Sequence, residues 1–257
     1  MSAETLLRLA LVPAAVWLAS LAARRWGHSV SGYLGGMPLI GGPITLFLAL
    51  DLGTAFAARS ALFTLAAVLA QAAHLMAFSH AGQRRGWALA LAAGWSSFAL
   101  AALAIVLLPL TLPLAAALAT AGLAIAWRWL PRPRENASLP EIPAIELRLR
   151  VLAALALAAL ILWSAPTFGP AVSGILLSLP ITGSIMPPFT LAFYGPDAVA
   201  RLVRGFVVGL SGFATFFLVL TLGVVAFGIA PTFLAALACA LLAVAAANRF
   251  AQRNRTS

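Results

Sequence analysis

Long apolar runs, separated by short polar or Gly/Pro-rich breaks, cover almost the whole chain. A helix that crosses a bilayer needs about 20 mostly apolar residues. Runs of that kind fall at about 5–23, 29–50, 54–79, 87–108, 111–130, 149–166, 171–193, 203–228 and 231–248. The breaks are Arg24-Arg25-Trp26-Gly27, Asp51-Leu52-Gly53, Gln83-Arg84-Arg85-Gly86, Pro109 to Pro113, the polar stretch 131–148, Pro166 to Pro170, Gly195-Pro196-Asp197 and Gly228 to Pro231. The pattern predicts an all-α polytopic membrane protein of nine transmembrane helices. The run from Leu6 to Ala23 has no small-residue cleavage site before Arg24-Arg25, so it reads as a retained helix and not a signal peptide.

Composition closes the alternatives. The residues AVILMFWYC make up 63% of the chain, DEKR only 9%, and the mean hydropathy is +1.04. A soluble domain is roughly 45–50% apolar and about 25% charged. Soluble enzymes, nucleic-acid modules and secreted disulfide scaffolds are excluded on that ground. The single Cys239 cannot form an intrachain disulfide and reads as a small packing residue.

The net charge of +10 would suggest nucleic acid in a soluble chain. Here all 16 basic residues are arginines, and they cluster between the apolar runs. With the N-terminus outside, the inner side receives Arg24, Arg25, Arg84, Arg85, Arg128, Arg132, Arg134, Arg148, Arg150, Arg201, Arg204, Arg249, Arg253 and Arg255, and the outer side only Arg8 and Arg59. That asymmetry is what the positive-inside rule requires, and one helix more or fewer would scramble it. The expected topology is N-terminus outside and C-terminus cytoplasmic.

The chain also matches itself at an offset of 142 residues. Residues 30–59 align without a gap on 172–201, with identities at Val30/Val172, Ser31/Ser173, Gly32/Gly174, Leu34/Leu176, Pro38/Pro180, Gly41/Gly183, Phe47/Phe189, Gly53/Gly195, Ala58/Ala200 and Arg59/Arg201. Helix 2 would run outward and its match, helix 7, inward, because helix 5 reverses the second half. The expected organisation is a first repeat at 1–110, a linking helix 5 at 111–130, a cytoplasmic loop at 131–148 and a second repeat at 149–257. The two repeats would be related by a pseudo-two-fold axis in the membrane plane, an arrangement common in secondary transporters.

Each repeat sets proline and glycine in mid-membrane, at Pro38 to Pro43 and at Pro180 to Gly183 with Pro187-Pro188 following. Proline removes a backbone donor and glycine loosens a helix, so helices 2 and 7 should break into half-helices. Non-helical backbone survives at that depth only against protein or a watery cavity. The expected substrate-binding residues are Ser31, Tyr33, Pro38, Gly41, Gly42, Thr45, Ser173, Ser178, Pro180, Thr182, Gly183 and Ser184, with Gly94 as an unrepeated reference. The competing reading is a pair of kinked, packed helices whose hydroxyls bond a carbonyl one turn back.

Gln71 and His74 lie three residues apart on one face of helix 3. His74 reads either as a proton carrier or as a satisfied interior histidine. Asp51, Arg59, Asp197, Arg201 and Arg204 stand near the ends of spans as gates or an anion funnel. Snorkelling and ordinary helix-start ion pairs explain them equally well. No His/Cys/carboxylate cluster has metal-ligand spacing, and no cofactor is expected. No Walker motif, nucleophile elbow or paired acid/base carboxylates occur, so the chain reads as a non-enzyme.

The block Ser173-Gly174, Pro180, Phe189, Gly195 and Ala200-Arg201 resembles the pattern of the GlpM-like small bacterial membrane proteins, over about 75 residues of the second half. The resemblance is fainter over 30–79 and implies a bacterial inner-membrane protein built as a fused, inverted duplication. The function expected from these features is a secondary transporter or exporter of a small solute, anionic if the arginines face it, by alternating access between two broken helices. The alternative is an accessory scaffold for envelope lipid or polysaccharide assembly. Its expected partners are the lipid bilayer and the solute, with no nucleic acid; a homodimer is compatible with the sequence.

Overall fold

The computed structural model describes residues 33–133 and 144–256, and no strand occurs among them. The expected span at 5–23 and the candidate Ser31 lie outside the described residues. A helical turn at 33–36 leads into a non-helical break at 37–40 and then α1 (Gly41–Asp51). There follow α2 (Thr54–Ala66), α3 (Val68–Gly82), α4 (Trp87–Leu107), α5 (Leu112–Trp129), α6 (Ala144–Leu177), α7 (Ile181–Phe227) and α8 (Ile229–Thr256). The join between α2 and α3 is one residue, Ala67, and the bonds Ala67 N–H to Phe63 O (2.9 Å) and Gln71 N–H to Ala67 O (3.0 Å) carry the helix across it.

Among the described residues, six stretches are long and apolar enough to cross a membrane: Tyr33–Asp51, Thr54–Gly82, Trp87–Leu107, Leu112–Trp129, Val151–Phe227 and Ile229–Arg253. They mark the chain as an all-helical membrane protein. Val151–Phe227 has 77 residues. At 1.5 Å per residue it would reach about 115 Å as one straight helix, several times a hydrocarbon core of about 30 Å. Three interruptions divide it, at Gly169 (φ 74°, ψ −177°), at 178–180, and at Gly195 (φ 80°, ψ −179°).

The breaks are narrower than the proline pattern predicts. Helix continues through Pro166, Pro187 and Pro188 and yields at 178–180, which ends on Pro180, and at Gly169 and Gly195, each followed directly by a proline. A proline that opens a helix gives up an amide that would have no intrahelical partner anyway. Pro43 lies within the first turn of α1 for the same reason, so the first break occupies 37–40 and leaves Gly41 to Pro43 helical.

Burial shows which stretch is the hub. In Thr54–Gly82, 78% of the most apolar window is buried, against 28% in α4, 22% in α5 and 17% in α8. The α2–α3 run packs against α6 and α7, while α4 and α5 cover α3 and α8 covers α7. The outer helices keep Leu100, Leu107, Leu234 and Leu242 exposed, as lipid-facing positions should. Where backbones cross closely, the residues are small. A Cβ on Gly174 would strike the Ser60 carbonyl oxygen and come within 2.6 Å of Phe63 Cβ. At the crossing of residues 33–36 with α7, a Cβ on Gly36 would strike the Phe206 carbonyl oxygen, and one on Gly209 the Tyr33 carbonyl oxygen.

The corner glycines recur with the repeat. Gly53 (φ 89°, ψ 164°) and Gly195 (φ 80°, ψ −179°) take nearly the same conformation, 142 residues apart. Backbone with positive φ and ψ near 180° is essentially confined to glycine. Gly53→Ala and Gly195→Ala should each lower unfolding stability by about 1–3 kcal/mol. Gly86→Ala is the matched reference, because its φ is −64° and nothing lies within 4 Å of the added Cβ. Denaturation of the purified variants in detergent reads the difference.

Candidate cavity at the two helix breaks

The two breaks line one cavity of about 80 Å3. A single water needs about 10–15 Å3 measured in this way, so a small solute fits. One wall is the first break, from Leu34 to Gly41, and the facing wall is the second, from Leu177 to Gly183. Gln71 and Leu75 of α3, Leu157 of α6 and the aromatic rings of Phe206 and Phe213 in α7 close it. Among the described residues no charged side chain belongs to the wall.

Proline determines which backbone groups are left over. Pro180 has no amide for Leu176, whose carbonyl accepts from Leu179 N–H instead (3.1 Å). Gln71 Nε2 donates to the Ser178 carbonyl at 2.7 Å. Pro187 has no amide for Gly183, and His74 Nε2 stands 3.4 Å from that carbonyl oxygen. The face of α3 that carries Gln71 and His74 therefore clasps two carbonyls that the broken helix cannot satisfy itself. Gln71 Oε1 and His74 Nδ1 are buried and have no hydrogen-bond partner among the described residues.

His74 lies behind the cavity wall, not in it: the ring is fully buried and meets Trp95 edge-on with centroids 6.1 Å apart. Gly94, chosen as a reference because it is unrepeated, proves to be a contact point. A Cβ there would lie 2.9 Å from His74 Nδ1.

The hydroxyls divide differently from expectation. Thr45 donates to Gly41 O (2.7 Å), Ser173 to Gly169 O (2.9 Å) and Ser178 to Ile175 O (2.7 Å), all within their own helices. The Tyr33 hydroxyl donates to Asn248 Oδ1 of α8 at 2.7 Å. Ser184 Oγ is buried without a partner among the described residues. Of the expected binding residues, Gly41, Pro180, Thr182 and Gly183 form the wall, whereas Pro38, Gly42, Thr45, Ser173, Ser178 and Ser184 are not part of it. Sequence reasoning missed the two phenylalanines, which carry no pattern distinguishing them from other core rings.

The charged candidates also lie away from the cavity. Asp51 ends α1 at the surface, and Arg59 is exposed with its guanidinium 5.5 Å from the Phe63 ring centroid. Asp197 and Arg201 are half-buried just beyond the Gly195 corner. Arg204 is occupied in holding the structure together. Its Nε and Nη2 donate to Pro131 O (3.0 Å) and Leu130 O (2.9 Å), beyond the C-terminal end of α5, and the guanidinium stacks 5.5 Å from the Trp127 ring. Positive charge beside a helix C-terminus complements its dipole.

Each break also packs against a long helix. A Cβ on Gly183 would lie 3.6 Å from His74, and a Cβ on Gly42 3.4 Å from Phe216. Gly183 stands 142 after Gly41, whose Cβ would lie 3.1 Å from Phe217, one residue beyond the position 142 after His74. The start of α1 thus faces α7, and the start of α7 faces α3. No family model, curated protein or solved structure matches the chain.

Proposed function

We propose that the protein is a secondary transporter or exporter of a small solute, working by alternating access at the cavity between the two helix breaks. The observation that carries this is the meeting of two repeat-matched breaks, 37–40 and 178–180, on one cavity with glycine faces. Two inverted halves of nine helices in total, N-terminus outside and C-terminus cytoplasmic, would exchange conformations and turn that cavity from one face of the membrane to the other. The arginine asymmetry supports the inverted arrangement, as do the approximately matched contacts of Gly183 with His74 and of Gly41 with Phe217. A bacterial inner membrane is the location that the resemblance to GlpM-like proteins favours.

The scaffold reading needs small residues turned toward partner helices. Gly36, Gly174 and Gly209 are instead occupied by crossings inside the chain. Arg59, Arg201 and Arg204 are absent from the wall, so among the described residues an anion would meet only backbone and the neutral side chains of Gln71 and Thr182.

A thermal-stability screen of small solutes on the purified chain tests the proposal. A ligand present at 100 times its Kd stabilises the folded state by about 2.7 kcal/mol. Solutes that raise the melting temperature of the wild type should leave a cavity-filled Gly183→Leu variant unmoved. Equal stabilisation of both would place the binding site elsewhere.

A further inference from the structure

We infer that the cavity selects a small, net-neutral polar solute that carries both hydrogen-bond donors and acceptors, of the amide type, with Gln71 as the residue that reads its donor. This deepens the transport reading above and rests on it. The unmet groups at the cavity define the solute. Gly42 N–H bonds Pro38 O (2.8 Å) and Ser184 N–H bonds Pro180 O (2.7 Å), and no side chain caps either α1 or α7. The first-turn amides of Gly41, Thr182 and Gly183 have no backbone acceptor among the described residues, as helix starts leave them. All three residues belong to the wall.

Acceptors are left over too. Pro43 deprives the Leu39 carbonyl of its helical donor, and Ile181 N–H turns to Leu179 O (2.7 Å) and away from Leu177. Gln71 is 8% exposed and lines the cavity. Only an N–H can donate to the Ser178 carbonyl, so the carboxamide orientation is fixed and Oε1 is the atom left without a partner. An orphaned buried acceptor is expensive. A solute N–H bonded to Oε1, with its carbonyl on the Thr182–Gly183 amides, satisfies both sets.

Among the described residues no ionised side chain is present in the wall to balance a net charge, and burying an unbalanced charge costs far more than burying a bonded amide. The chemistry is therefore that of a neutral amide and not of the anion that the arginine pattern suggests.

Acetamide, acetate and acetone share a shape and differ in charge and donor, so they serve as probes on the full chain in lipid nanodiscs. Acetamide should raise the melting temperature in a concentration-dependent way, while sodium acetate and acetone should not. Thr182→Val and Gln71→Met each remove part of the recognition. In Gln71→Met the acetamide response should require about tenfold more probe, the loss expected for one buried hydrogen bond. If Gln71→Met does not fold, Gly183→Leu, which fills the cavity, replaces it and should abolish the acetamide response. Acetate stabilising the protein where acetamide does not would overturn the inference and leave the transport reading intact. Equal responses to all three probes, or to none, would also overturn it. Thiol-reagent access to a Thr182→Cys variant then decides separately whether the transport reading falls as well.

Discussion

Gly209→Val should leave no folded protein, and Gly209→Ala should be severely destabilised. At this crossing the added Cβ of residue 209 meets backbone alone: the Tyr33 carbonyl oxygen, Gly36 Cα at 2.8 Å and Gly36 C at 3.0 Å. Side-chain tips can rotate away, but a carbonyl oxygen on a packed helix moves only with its helix. Overpacking a well-packed interior costs about 1–3 kcal/mol and occasionally more, against a total stability of about 5–15 kcal/mol. The crossing holds residues 33–36 onto α7, and the first break follows immediately at 37–40. Losing it should dismantle the cavity along with the fold. Detergent-solubilised yield and monodispersity on size exclusion read the effect, with Gly86→Val as the reference. A Gly209→Val variant that elutes and melts like the wild type would show that the two helices are not in contact there.

Gly183→Leu should behave in the opposite way, retaining the fold and losing solute binding. Its Cβ enters ordinary contact, 3.5 Å from Pro180 Cβ and 3.6 Å from His74. The remaining side-chain atoms have a cavity of about 80 Å3 to occupy. Three further carbons beyond the Cβ occlude most of it. Gly183→Ala, which adds only the Cβ, should keep both fold and binding. The melting temperature and the solute response of the three proteins separate the outcomes. If Gly183→Leu unfolds while Gly183→Ala does not, the cavity is narrower under native conditions, and the glycine serves packing.

The fold was legible where physics forces a local answer. Apolar length marked the chain as all-helical with several helices long enough to span, six among the described residues, because backbone in hydrocarbon must satisfy itself. The repeated Pro38/Pro180 located both breaks, since a missing amide acts whatever surrounds it. The cavity wall at 34–41 and 177–183 overlaps the segments expected from those prolines. What stayed hidden depends on partners distant in sequence. Gly36 and Gly209 are 173 residues apart, and nothing local says that they touch. Arg204 looks like a gate until Leu130 and Pro131 offer it their carbonyls. The choice between a proton carrier and an interior donor at His74 turns on Pro187, whose missing amide frees the Gly183 carbonyl. Serine and threonine near a break look like lining, yet three of them bond their own helices because that carbonyl is always within reach.

Alternating access requires the cavity between the breaks to be wet and to open to both faces of the membrane. One measurement addresses this without knowledge of the solute. The native Cys239 is replaced by serine, a single cysteine is placed at Thr182 in the wall, and a membrane-impermeant thiol reagent is applied from each face in turn. A cysteine replacing Val68, fully buried in the apolar core, defines the unreactive baseline. The residue-182 thiol should react from both faces, well above that baseline. Reaction from one face alone would make the cavity a closed-ended pocket, and reaction from neither would make it dry packing; either result contradicts alternating access at this site.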